Sequence, residues 1–150
     1  MRRPDPFEVL YERRRGSPVG LPKTLARICG PVRFPRPGRR PYVVGNFAAS
    51  VDGVVSLNEP GVSSGGEITG FDPHDRLWMG VLRALADAVV LGAGTQRAAP
   101  RHVWTAEHVY PPMAREFGEL RRRLGKPATP RNVVVTASGR LDLDLPVFTS

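Results

Sequence analysis

Three short stretches of the chain combine glycine with a hydroxyl or a carboxyl: Ser50-Val51-Asp52-Gly53, Gly92-Ala93-Gly94-Thr95 and Thr136-Ala137-Ser138-Gly139. Glycine lets a backbone come close to a ligand, and a hydroxyl donates to phosphate oxygens. Gly92-x-Gly94-Thr95 is the most phosphate-like of the three. It lacks the third glycine of a dinucleotide fingerprint and the Gly-Lys-Ser/Thr of a P-loop. The same pattern also serves as a structural strand-to-helix turn, so the three stretches together say more than any one. Other chemistries find less support. His74, His102 and His108 share no metal-ligand spacing with acids or with Cys29. Cys29 has no paired histidine, and Ser50 and Ser138 lack the Gly-x-Ser-x-Gly elbow. No metal ligand and no catalytic side chain stands out.

The elements around these turns follow from hydrophobic patterning. Residues 42–49, YVVGNFAA, are apolar and β-branched early, and Pro41 and Asp52-Gly53 bound them. They read as a buried strand, which Val54 to Ser56 extend. Residues 58–70 read as a loop, with four glycines and a proline. Asp72 suits an N-cap and Pro73 the first helical position. Leu77, Val81, Ala84, Leu85 and Ala88 follow at helical spacing, with Trp78 and Leu82 widening the stripe. Ala88 to Leu91 reads as a strand buried on both faces, and an irregular stretch follows Thr95. A second helix opens at Pro111-Pro112, carries Met113, Phe117, Leu120 and Leu124 on one face, and stops at Gly125. Arg121, Arg122 and Arg123 read as its solvated end. Asn132 to Thr136 is a third strand and Pro146 to Thr149 the start of a fourth. This order predicts an α/β fold with a mainly parallel sheet and flanking helices. In such sheets ligands bind beyond the carboxyl ends of the strands, where the three turns fall.

Composition narrows the class. The chain has 150 residues, 41% hydrophobic and 24% charged, which suits one globular domain and excludes wholesale disorder. No apolar run approaches the roughly 20 residues of a membrane span, and the first residues, MRRPDPFEVLYERRR, hold no secretory apolar region. A single cysteine cannot form an internal disulfide. These features predict a cytoplasmic protein. Residues 1–40 hold eleven Lys and Arg against three acidic residues, the whole of the +8 net charge; residues 41–150 are neutral. Residues 1–40 therefore read as a basic, proline-rich extension, a poor core builder with one short helix over roughly residues 6–15. It reads first as an arm packed on its own domain or a partner subunit, and only second as a nucleic-acid arm.

The stretch RPYVVGNFAASVDG, the glycine-rich loop after it and VLRALADAVVLGAGTQRA resemble the pyrimidine reductases of riboflavin biosynthesis. These form the reductase half of the bacterial bifunctional deaminase-reductases and share a dihydrofolate-reductase-like fold. The resemblance runs from Arg40 to about Phe148. It implies NADPH-dependent hydride transfer to a ribosylamino-pyrimidine phosphate, or to a related pyrimidine or pterin. By the same resemblance Thr95 contacts NADP, with Gly92 and Gly94 shaping its turn. Ser138 or its neighbour Ala137 lies near the adenosine 2′-phosphate. Asn46, Ser50 and Asp52 border substrate and nicotinamide, and Arg83 attends the substrate phosphate. Hydride transfer needs little acid–base machinery; it needs the nicotinamide held against the acceptor carbon. Asp52 in an Asp-Gly turn is also ordinary turn chemistry, and a mid-helix Arg83 is also a plain surface residue.

The chain departs from the family at Ala99, where an acidic residue usually stands four positions after the threonine. Family reductases also continue with further elements, including a Gly-Gly turn at the cofactor pyrophosphate. The resemblance therefore implies that residues 41–150 hold the N-terminal part of the full fold. It further implies a small-molecule substrate and a homodimer. The alternative from another class is an incomplete, non-catalytic domain that binds a nucleotide or a partner.

Overall fold

A computed structural model describes residues 4–12, 16–35, 38–57, 59 and 65–149. Strand β1 (Ser17–Pro18) pairs antiparallel with β2 (Arg33–Phe34), and helix α1 (Lys23–Cys29) lies between them in sequence. Gly16 enters this antiparallel pair at φ +84°, and a Cβ there would overlap the Phe34 carbonyl, so only glycine fits. The short helix α2 (Gly65–Ile68) precedes α3 (Pro73–Leu85). Helix α3 begins as its sequence dictates. The Asp72 carboxylate accepts from the backbone N–H of His74 at 2.8 Å and of Asp75 at 3.2 Å, and Pro73 occupies the first turn. Strand β3 (Ala88–Gly92) leads directly into α4 (Ala93–Ala98). Helix α5 (Ala106–Val109), a 3₁₀ turn (Pro111–Met113) and α6 (Ala114–Arg123) follow. Strand β4 (Arg131–Val135) and α7 (Pro146–Thr149) complete the order.

The core is mainly helical. Leu77, Val81 and Ala84 of α3 meet Ala106 and Val109 of α5, Tyr110, Met113, and Phe117 and Leu120 of α6. Gly80 makes the α3–α6 approach possible, because a Cβ there would overlap the Phe117 ring. Arg121, the first of the three arginines read as solvated, is instead buried. Its guanidinium donates to the carbonyls of Arg83, Ala84 and Ala86 at the end of α3 and to Pro127. Those carbonyls lack partners inside their own helix, which is what draws a cation inward.

The extension also contributes to the core, against the expectation from its proline content. Leu21, Leu25, Ile28, Cys29 and Val32 are buried in the same cluster as α3 and α6. Periodic apolar spacing in α1 outweighs the prolines, which fall at its edges. No helix forms over residues 6–12, while residues 13–15 lie outside the described set. Phe7 instead donates its N–H to the Ile28 carbonyl at 2.8 Å and sets its ring against His74 and Trp78.

The sheets are small. Strands β3 and β4 run parallel, in register from Ala88↔Arg131 to Gly92↔Val135. With β1–β2, the described residues hold one parallel and one antiparallel pair, so the fold is α/β as expected and the mainly parallel sheet is not confirmed. Residues 42–49 form no strand, and Tyr42, Val43, Val44 and Phe47 are exposed; residues 54–56 likewise lie outside any strand. β-branched composition makes a segment fit for pairing but supplies no partner. Strand β3 is not buried on both faces: Val90 is 66% exposed, and Val133 and Val135 beside it are exposed too. Residues 146–149 are a helix, because Pro146 pre-sets its first position and the Phe148 N–H closes a turn on the Leu145 carbonyl. The stretch after Thr95 is more regular than expected, since α4 and α5 occupy it. Of the glycine-rich loop, residues 58 and 60–64 lie outside the described set and residues 65–68 are helical.

Candidate functional site

Parallel pairing decides the geometry of two of the three turns. Because Gly92 sits opposite Val135, the turns that follow β3 and β4 leave the same carboxyl edge side by side. Gly92 caps α4 with extended backbone, and Gly94 and Thr95 lie in the first helical turn. A Cβ on Gly92 would meet nothing within 4 Å, and one on Gly94 only Arg97 Nη2 at 4.0 Å. Thr95, Ala137 and Ser138 are exposed. Ser138 Oγ accepts from the Arg140 N–H at 3.3 Å, which leaves its own proton to donate. Gln96, beside Thr95, is buried, and its Nε2 has no partner. Nothing in the spacing marked that glutamine; an orphaned buried amide appears only in three dimensions.

Ser50 and Asp52 are turned on each other. The Ser50 hydroxyl donates to the Asp52 carboxylate, and the N–H of Val54 donates back to Ser50 Oγ at 3.0 Å. The Ser50 hydrogen bond, seconded by backbone donors, holds the Asp52 carboxyl below its usual range. Asn46 lies apart, exposed in the unpaired segment 42–49. It lines an open groove of about 350 Å³ with Cys29, Phe34, Tyr42, Trp78 and Leu82. Burial pushes the Cys29 thiol up to about 11, which keeps it protonated and unreactive.

Arg83 is half-buried rather than a plain surface residue. Its Nη1 donates to His102 Nε2 at 3.0 Å and to the Thr105 carbonyl at 3.3 Å, and its guanidinium lies 5.1 Å from the Trp104 ring centroid. The His102 ring sits 4.4 Å from Trp104 and 4.6 Å from His108. Burial first, and the Arg83 charge second, push His102 down to about 4; the same two causes lower His108. Sequence spacing alone scatters these histidines. Thr105 brings them together by capping α5, its Oγ1 accepting from the His108 N–H at 3.4 Å. Among the described residues no cluster of His, Cys, Asp and Glu could hold a metal, and no helix is long and apolar enough to cross a membrane.

The sequence-predicted residues thus fall in four places: the paired turns after β3 and β4, the Ser50–Asp52 turn, the groove at Asn46, and the Arg83 cluster. A family model described as the RibD C-terminal domain matches residues 41–150. The chain belongs to the RibD C-terminal domain family. No curated protein and no solved structure matched it. RibD C-terminal domains have a dihydrofolate-reductase-like fold, are associated with reductase activity in riboflavin biosynthesis, and generally use a nicotinamide cofactor. The paired turns fit the phosphates of such a cofactor. Space is open above two glycines, hydroxyls stand on both turns, and Arg97 and Arg140 flank them.

Proposed function

We propose that this chain is an NADPH-dependent reductase domain that acts on a ribosylamino-pyrimidine phosphate or a close pyrimidine relative. The observation that carries the reading is the Gly92↔Val135 register, which sets the Gly92–Thr95 and Thr136–Gly139 turns next to each other. When bound, the cofactor supplies the hydride. The chain's own residues bind and orient. Gly92 and Gly94 give phosphate oxygens access to backbone N–H groups, and Thr95 and Ser138 donate hydroxyl protons to them. Ala137 keeps the second turn small. Asn46 offers both a donor and an acceptor to a pyrimidine edge, and the Ser50–Asp52 pair offers acceptors to a sugar. Arg83 supplies the charge for the substrate phosphate.

The turns support nucleotide binding with or without chemistry, so a non-catalytic nucleotide-binding domain is the competing reading. Trp78 and Trp104 fluorescence during NADPH titration tests binding, and loss of 340 nm absorbance with the pyrimidine substrate tests transfer. Saturable binding with turnover supports the reductase. Binding without turnover supports the competing reading. No saturable response by about 1 mM NADPH, equivalent to about 4 kcal/mol, removes both.

A further inference from the structure

Positive charge gathers around Arg83 without a matching acid. Arg76 and Arg83 of α3 face His102 and His108, and Glu107 is the carboxylate felt there, raising His108 while the arginines lower it. Among the described residues, no ion pair joins a carboxylate to Arg83, His102 or His108. Arg76 is engaged elsewhere, its Nε donating to the Val109 carbonyl at 3.1 Å. Among the described residues, the hydrogen bonds of Arg83 to protein acceptors both run from Nη1, and none runs from Nε or Nη2. Arginine cannot lose its proton in practice, so His102 Nε2 must be the acceptor of the pair, and His102 is neutral.

We propose that His102 and His108 complete an anion subsite around Arg83, in which a phosphate dianion meets the guanidinium and the two imidazoles take up a proton as it arrives. The inference rests on the reading of Arg83 as the residue for the substrate phosphate, and adds to it the two histidines and a coupling to pH. The physical basis is the sign of the local field. Without an anion, burial and Arg83 disfavour imidazolium. A dianion at the free edge of Arg83 reverses that field and favours the charged ring. Imidazolium at His102 gives up its hydrogen bond with Arg83 Nη1, while the Thr105 carbonyl retains the guanidinium. The Trp104 ring, its centroid 4.4 Å from that of His102 and tilted to it, adjoins the new cation.

Inorganic sulfate is the probe, because it stays dianionic while the imidazoles titrate. Calorimetry on the 150-residue chain between about pH 5 and 8 gives affinity, and imidazole resonances of the same protein report protonation. Affinity should fall as pH rises, by up to about tenfold for each unit by which bound sulfate raises an imidazole. At pH 6, sulfate should move the His102 and His108 resonances toward their imidazolium positions. The double variant His102→Gln, His108→Gln should bind sulfate with a flat pH profile, its fold checked by circular dichroism. Binding that is pH-independent in the wild type, or that leaves both imidazoles unmoved, overturns the inference and leaves Arg83 as a lone phosphate residue. No sulfate binding at any pH overturns the subsite and the Arg83 assignment together. NADPH binding followed by the emission of its own reduced nicotinamide, and not by Trp104 of the Arg83 cluster, reads the turns after β3 and β4 independently of both.

Discussion

Arg121 Nη1 lies 3.1 Å from the Ala84 carbonyl oxygen, so a charged side chain of α6 closes the end of α3. The same nitrogen reaches the Arg83 and Ala86 carbonyls at 3.3 and 2.9 Å, and Nε reaches Pro127 at 2.6 Å. The clamp therefore holds the backbone of Arg83, whose side chain reaches His102.

That clamp should be expensive to remove. Arg121→Ala leaves several carbonyls unsatisfied and a cavity behind, and should destabilise the chain by about 2–4 kcal/mol. Arg121→Lys, with one compact ammonium instead of a planar fork, should recover only part of the loss. Urea unfolding of both variants measures this. A change below about 0.5 kcal/mol would mean that the guanidinium is solvated after all.

Gly80→Ala tests the α3–α6 approach. The new methyl collides with a fully buried Phe117, so overpacking should cost about 1–3 kcal/mol despite the gain in helix propensity. Gly80→Ala with Phe117→Leu should regain stability relative to Gly80→Ala alone. A double variant whose loss is the sum of the two single losses would show that the two residues do not touch.

Acid stability should depend on His102. Its imidazole titrates at about 4 in the folded chain against 6.5 for the ordinary group, chiefly because it is buried. Between those values the unfolded chain binds more protons, so this contribution is full above about pH 6.5 and fades as pH falls through 4. His102→Gln should flatten that limb by about 2 kcal/mol, after allowance for partial exposure. Unfolding free energies at pH 7, 5 and 4 give the slope. An identical slope in variant and wild type would assign the acid limb to other groups.

Thr95→Ala should weaken NADPH about three- to tenfold, the value of one hydroxyl donor, and leave the melting temperature nearly unchanged because the side chain is exposed. Ser138→Ala should behave alike. Parallel losses of affinity and stability would make these purely structural turns.

The legible parts of this fold carry local signals. Helix α3 announces itself with Asp72, Pro73 and a clean apolar stripe, and β3 and β4 with short valine-rich runs closed by glycine turns. The parallel pairing of those runs, and with it the union of the two turns, follows from their order around intervening helices. Residues 42–49 have the composition of a strand, but pairing depends on a partner that composition does not name. The site was legible in the same measure. Thr95 and Ser138 fall on recognisable turns. The contact between Arg83 and His102 spans 19 residues, and no periodicity links positions on a helix to a loop beyond a strand. Arg121 was hidden by its neighbours, since three consecutive arginines look alike until packing separates one from the others.

The leader that precedes the family match has a consequence for where this protein can be cut. The match opens at Pro41, yet Leu25, Ile28 and Val32 are buried in one cluster with residues of α3 and α6. A polypeptide shortened to that starting point would keep every glycine corner and lose the floor of its interior. It would lose part of the apolar cluster in which Leu77 and Phe117 are buried.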